Sequence, residues 1–138
     1  MRRRATTLAV LAALATAAAG CGGVAPDLFV VTRAGDVPGG RLTLRITDDG
    51  RASCNGGALV DITSAQLITA RESQRDLIAP AKAGMRLAAG PQSVMSYRVR
   101  SDDGTVAWSD DSRGQPLVLF RLAKLTRDVA RGPCHLAR

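Results

Sequence analysis

The sequence predicts a small α+β domain, with an antiparallel sheet in the order β-β-β-α-β-β-α and two helices packed on one face. Two observations lead there. Two stretches alternate apolar and polar residues, and each runs into Asp-Asp-Gly, at Asp48–Gly50 and Asp102–Gly104, which is hairpin chemistry. Two other stretches repeat apolar residues at helical spacing and carry start and stop signals.

Leu28 to Arg33 (Leu-Phe-Val-Val-Thr-Arg) is rich in β-formers and reads as a strand. It can belong to the sheet, lie at its edge or form a partly separate arm. Gly35 to Gly40 is a turn region. Arg41 to Thr47 then places Leu42, Leu44 and Ile46 on one face and Thr43, Arg45 and Thr47 on the other. Arg51 to Asn55 returns as a short strand. A three-residue loop with Gly50 left-handed pairs Ile46 with Ala52 and Leu44 with Cys54, all facing the core. A two-residue loop would pair Ile46 with Ser53, and a one-residue slip turns every side chain over, so the three-residue loop is expected.

Asp61 to Ala79 reads as a helix. Asp61 or Thr63 can cap it, and Thr63-x-x-Gln66 fits a capping box. Leu67, Ala70, Leu77, Ile78 and Ala81 make its apolar stripe, with Gln74 at the margin. Pro80 and Gly84 end or kink it. Gly84 to Gln92 is a loop. Val94 to Arg100 is a strand in which Met95, Tyr97 and Val99 alternate with Ser96, Arg98 and Arg100. A two-residue loop leads into Thr105–Ser109, with Val99 expected opposite Trp108. The two Asp-Asp-Gly turns reflect recurrent turn chemistry rather than duplication. Pro116 to Arg131 is a helix with Pro116 at its first position and Gly132-Pro133 at its end. Val118, Leu122, Leu125 and Val129 form its buried face.

The N-terminus carries a different signal. Arg2, Arg3 and Arg4 precede an apolar run from Leu8 to Ala19, and Ala17-Ala18-Ala19-Gly20 leads into Cys21. A basic start, a short apolar region and small residues before a cut describe a secretory signal. The cysteine after the small residues resembles a bacterial lipobox, with Ala18 where leucine is usual. That resemblance implies cleavage before Cys21 and acylation of Cys21. Plain secretion and an uncleaved anchor stay open, although the apolar run is shorter than the ~20 residues of an ordinary spanning helix. Ala5-Thr6-Thr7 lacks the apolar residues that follow a twin-arginine pair, and the export route is open. The expected organisation is a signal peptide over 1–20, a lipidated tether over 21–27 and one α+β domain over 28–138. Fully extended, Cys21 to Leu28 spans at most ~25 Å, so the domain would sit close to the extracytoplasmic face of the cell membrane.

Removing three of the 19 basic residues with the signal leaves 16 against 12 acidic ones, so the net charge falls from +7 to +4. So mild a positive charge on an exported chain does not argue for a nucleic-acid partner. Lysine is confined to Lys82 and Lys124 while arginine and alanine abound, a usage typical of GC-rich bacterial genomes. With Cys21 assigned to lipid, Cys54 and Cys134 remain, and an exported domain can oxidise them to a disulfide.

No catalytic constellation stands out. The single histidine, His135, lies beside Cys134 in the tail, and no nucleophile has an identifiable base. Asp48/Asp49, Asp102/Asp103 and Asp110/Asp111 are acid pairs at turns, read as turn formers. Asp110-Asp111-Ser112-Arg113-Gly114 is the best cation candidate, yet none matches a calcium-loop ladder. No metal or cofactor is expected. Pro38-Gly39-Gly40 and Asn55-Gly56-Gly57 match no phosphate loop and read as tight turns. Arg121, Lys124, Arg127 and Arg131 share one side of the last helix, with Asp128 among them. That side is either a solvated face or a contact surface for anionic lipid or an acidic partner. Phe120 lies near it, partly exposed. Tyr97 and Trp108 are expected in the core.

Three segments, Arg33-Ala-Gly-Asp-Val-Pro-Gly-Gly40, Met95-Ser-Tyr-Arg-Val-Arg-Ser-Asp-Asp-Gly104 and Pro116-Leu-Val-Leu-Phe-Arg-Leu122, resemble the emfourin family of small inhibitors of thermolysin-like metalloproteases in their order and glycine placement. The resemblance covers most of 28–131 and implies inhibition of a secreted metalloprotease. The lipobox, the cysteine pair and Asn55-Gly56-Gly57 depart from that family, and no inhibitory residue carries over. The whole chain also resembles short actinobacterial lipoproteins of uncharacterised function. The resulting expectation is a membrane-anchored, non-enzymatic binding domain. The alternative is a structural or accessory envelope protein that uses its basic C-terminal helix.

Overall fold

A computed structural model describes residues 23–137. The expected signal peptide over 1–20 and Cys21 lie outside the described residues. Six strands form one antiparallel sheet: β1 (Asp27–Ala34), β2 (Leu42–Thr47), β3 (Arg51–Cys54), β4 (Val60–Asp61), β5 (Ser96–Ser101) and β6 (Gly104–Ser109). Their spatial order is β4-β3-β2-β1-β5-β6. Helices α1 (Ser64–Lys82) and α2 (Leu117–Arg131) cover one face. This is the expected small α+β fold with one addition. β4 pairs with Arg51 and Ala52 over two residues, too few to show a period in sequence.

β1 is neither an edge strand nor an arm. It lies in the middle of the sheet, paired with β2 on one side and β5 on the other. A register shift between Asp27 and Phe29 turns both Leu28 and Phe29 inward, so two consecutive large side chains are buried. Phe29 and Val31 join Leu42, Leu44, Ile46, Ala52, Val99, Val106 and Trp108 as the sheet side of the core. Thr32, Thr43, Arg98 and Arg100 are exposed on the opposite face.

The first hairpin forms as expected. Gly50 has φ 84°, Leu44 lies opposite Cys54, and Ile46 lies opposite Ala52. The second has the expected two-residue loop but another pairing. Ser101 faces Gly104 across Asp102-Asp103, which sets Val99 opposite Val106 and Tyr97 opposite Trp108. Gly104 has φ 135°, and a Cβ there would collide with the Ala81 carbonyl, so the turn packs directly on α1.

Thr63 caps α1 through a complete capping box: its hydroxyl accepts from the Gln66 N–H at 3.1 Å, and its own N–H donates to Gln66 Oε1 at 2.9 Å. The helix runs through Pro80 to Lys82 rather than stopping at Ala79. Its buried stripe is Ala70, Ser73, Leu77 and Ala81, while Ile78 is 39% exposed and so leaves the expected stripe. Spacings of three and four carry the stripe through Ser73 and past Ile78. Pro116 is the N-cap of α2 rather than its first residue, and the expected buried face is widened by Leu119, Thr126 and Ala130.

One open sheet edge is covered. The Ala107 N–H donates to Met85 O at 3.0 Å and the Leu87 N–H donates to Ala107 O at 2.9 Å, so residues 85–87 run along β6 and cap its hydrogen bonds. A disulfide joins Cys54 at the end of β3 to Cys134 beyond α2, with their Cα atoms 6.2 Å apart. Among the described residues, no helix is long and apolar enough to cross a membrane.

Candidate functional site

A groove of about 590 Å³ lies between one edge of α2 and the β5–β6 hairpin. Residues 120, 123, 127 and 131 of α2 line it at helical spacing, just outside the stripe that enters the core. Its other wall is the Tyr97–Trp108 pair. These rings sit opposite each other on neighbouring strands and stack with centroids 5.1 Å apart and planes 12° from parallel. Trp108 is buried, Tyr97 is half-buried, and Phe120 is 54% exposed. Burial, as the largest effect, pushes the Tyr97 phenol above its ordinary value of 10.0, and Arg33 pulls the other way. The phenol is therefore neutral at physiological pH. Among the described residues, the buried Trp108 indole N–H has no acceptor.

Polar groups ring this aromatic wall. Arg33 stands beside Tyr97 in the β1–β5 ladder, is only 3% exposed, and donates to Gly39 O at 3.0 Å and Gly40 O at 3.2 Å. The Pro38-Gly39-Gly40 turn thus solvates a buried guanidinium with backbone carbonyls. Asp110 accepts from the Val94 and Met95 N–H groups at 3.1 and 3.0 Å. Asp111 accepts from those of Gly90 and Gln92 at 2.9 and 2.8 Å. The best cation candidate in the sequence is therefore a brace for the 90–95 loop, and its carboxylates face amide donors. Gln115 completes this corner by donating to the carbonyls of Ser109 and Ser112 at 3.0 Å.

The basic positions of α2 divide between two places. Arg127 and Arg131 line the groove beside Phe120. Arg121 and Lys124 line a shallower depression between α1 and α2, where Arg121 pairs with Asp76 at 2.6 Å and Lys124 pairs with Asp128. At the other acid pairs, Asp48 meets Arg71 at 2.9 Å, Asp49 meets Arg51 and Asp103 meets Lys82 at 3.6 Å. His135 lies in the tail with φ 52°. Among the described residues, no group of histidine, cysteine and acidic side chains could hold a metal.

The sequence brings Arg127, Arg131 and Phe120 to one helix side and puts Tyr97 and Trp108 in the core, where Trp108 is buried and Tyr97 packs against it; that the two rings also wall a groove, and that Arg33 stands beside them, was not read from it. Counting the two-residue loop outward from Ser101 and Gly104 would have put Tyr97 and Trp108 opposite each other. Fold and site together define a small α+β domain with an aromatic, arginine-flanked groove at one end of its sheet. No protein-family model, curated protein or solved structure matches the chain.

Proposed function

We propose that the chain is a lipoprotein, anchored through Cys21 on the extracytoplasmic face of the cell membrane, whose domain binds a partner and does not catalyse a reaction. The binding part rests on one observation: the groove joins an aromatic wall to guanidinium groups in a single concavity. The signal pattern and lipobox support the location, and the Cys54–Cys134 disulfide suits an oxidising compartment. The binding reading also draws support from Asp48, Asp49, Asp110 and Asp111, whose carboxylates are occupied by arginines or amides. Contact with anionic lipid through the basic helix has less support, because Arg121 and Lys124 are already paired with Asp76 and Asp128. The emfourin resemblance adds protease inhibition without locating a surface for it.

Mass spectrometry of the native, membrane-extracted chain tests this reading. Denatured, the chain should start at Cys21, carry acyl mass and lack two hydrogens for the disulfide. Under native conditions it should carry a noncovalent ligand that Phe120→Ser loses. An unprocessed, unacylated chain would overturn the anchor, and a ligand-free chain in both variants would overturn the groove. Titration into a thermolysin-like protease tests inhibition, and unchanged proteolysis at micromolar excess would remove it.

A further inference from the structure

We infer that the groove takes a small amphipathic anion, with an apolar or aromatic body against Tyr97, Trp108 and Phe120 and a carboxylate or sulfonate between Arg127 and Arg131. The inference rests on the groove being the binding site and adds the chemistry of its ligand.

Size is the first argument. About 590 Å³ lies within the ~300–1,000 Å³ range of sites that hold one drug-sized molecule. The wall is the second. Phe120 leaves more than half its surface in water beside a half-buried Tyr97, and an apolar body would cover both. The third is charge. Arg127 and Arg131 are one helical turn apart on the same rim. Arg131 has no ion pair among the described residues. Among the described residues, Arg127 pairs only with Asp128, at 3.9 Å, and Asp128 is held more closely by Lys124. Two guanidinium groups on one rim therefore retain most of their capacity for an anion. The acid on the groove, Asp110, is already satisfied by the Val94 and Met95 amides. A neutral ligand would leave both arginines unused, and a cation would meet them as like charges. The buried indole N–H of Trp108, which lacks an acceptor among the described residues, is a further polar group in the groove wall.

The chain has one tryptophan, Trp108, so its emission reports the groove directly. The probes are 8-anilinonaphthalene-1-sulfonate and its uncharged counterpart N-phenyl-1-naphthylamine, which share an apolar body and differ in the sulfonate. They are titrated into the processed chain with Cys21→Ser, so that no acyl group competes. The sulfonate should quench Trp108 and bind at least about tenfold more tightly than the neutral probe. Arg127→Gln with Arg131→Gln should abolish that preference and leave the neutral probe's affinity unchanged, which also shows that the variant is folded. Arg98→Gln with Arg100→Gln on the open sheet face should change neither affinity. Equal binding of the two probes by the unaltered groove would overturn the anion class and leave the groove standing. Failure of both probes to perturb Trp108 would overturn the groove itself. A sulfonate preference that survives loss of both rim arginines would overturn their assignment.

Discussion

At the residue scale, one carboxylate organises the first hairpin. Asp49 accepts from Arg51 Nε at 2.8 Å and also from the Thr47 hydroxyl, which in turn accepts from the Arg51 N–H at 3.3 Å. The Arg51 guanidinium, then Thr47, holds the Asp49 carboxyl below its ordinary value of 3.8, and Asp49 raises Arg51 in return. The sign follows from linkage. The unfolded chain takes up this proton at a higher pH than the folded chain does, so the stabilisation is complete above the unfolded value and disappears as pH falls through the folded one. Asp49→Asn should therefore lower the melting temperature at pH 7. The deficit should shrink as the pH drops below that ordinary value and vanish once both forms are neutral. Melting curves for the two chains across acidic pH check this, and a deficit independent of pH would show that the contact acts without its charge.

At the element scale, α1 starts where its capping box says it should. Two N–H groups that a helix end leaves unpaired are satisfied within four residues. Thr63→Ala removes the acceptor for the Gln66 N–H and should cost about 1 kcal/mol, read as a lower urea midpoint with an unchanged slope. Thr63→Ser, which keeps the oxygen, should restore most of it; equal loss in both variants would point to packing rather than capping. Such local chemistry is what made the elements legible in sequence: Gly50 dictated the register of one hairpin, and Gly132 marked the end of α2. What stayed hidden depended on partners distant in sequence. Ile78 fits the helical spacing but finds no facing surface, whereas Ser73 does. Pro80 is accommodated in the last turn, where the Met85 N–H closes onto its carbonyl at 3.0 Å. β1 is central because β5, more than 60 residues later, pairs with its free side. The groove was half visible, since α2 displays Phe120, Arg127 and Arg131 by periodicity alone. Its other wall required the strand pairing that brings Tyr97 to Trp108.

For the whole molecule, the disulfide joins parts that no strand pairing connects. Cys54 ends β3 near one sheet edge, and Cys134 follows α2 directly, 80 positions further along the sequence. Both sulfurs pack against the core, and the Leu136 N–H returns to Ala130 O at 2.8 Å. The bridge therefore holds the C-terminal end of α2, where Arg131 borders the groove, against the sheet. Closing so long a loop in the unfolded chain is worth about 4 kcal/mol in the chain-entropy account, a large share of the ~5–15 kcal/mol that keeps a domain of this size folded. Replacing both cysteines with serine should lower stability by about 2–5 kcal/mol. It should also steepen the urea dependence, because an uncrosslinked unfolded chain exposes more surface. Equilibrium urea unfolding of the oxidised chain and the Cys54→Ser, Cys134→Ser chain, followed by Trp108 emission, measures both changes. A matching midpoint and slope in the two chains would mean that the packed apolar core holds the end of α2 without the bridge.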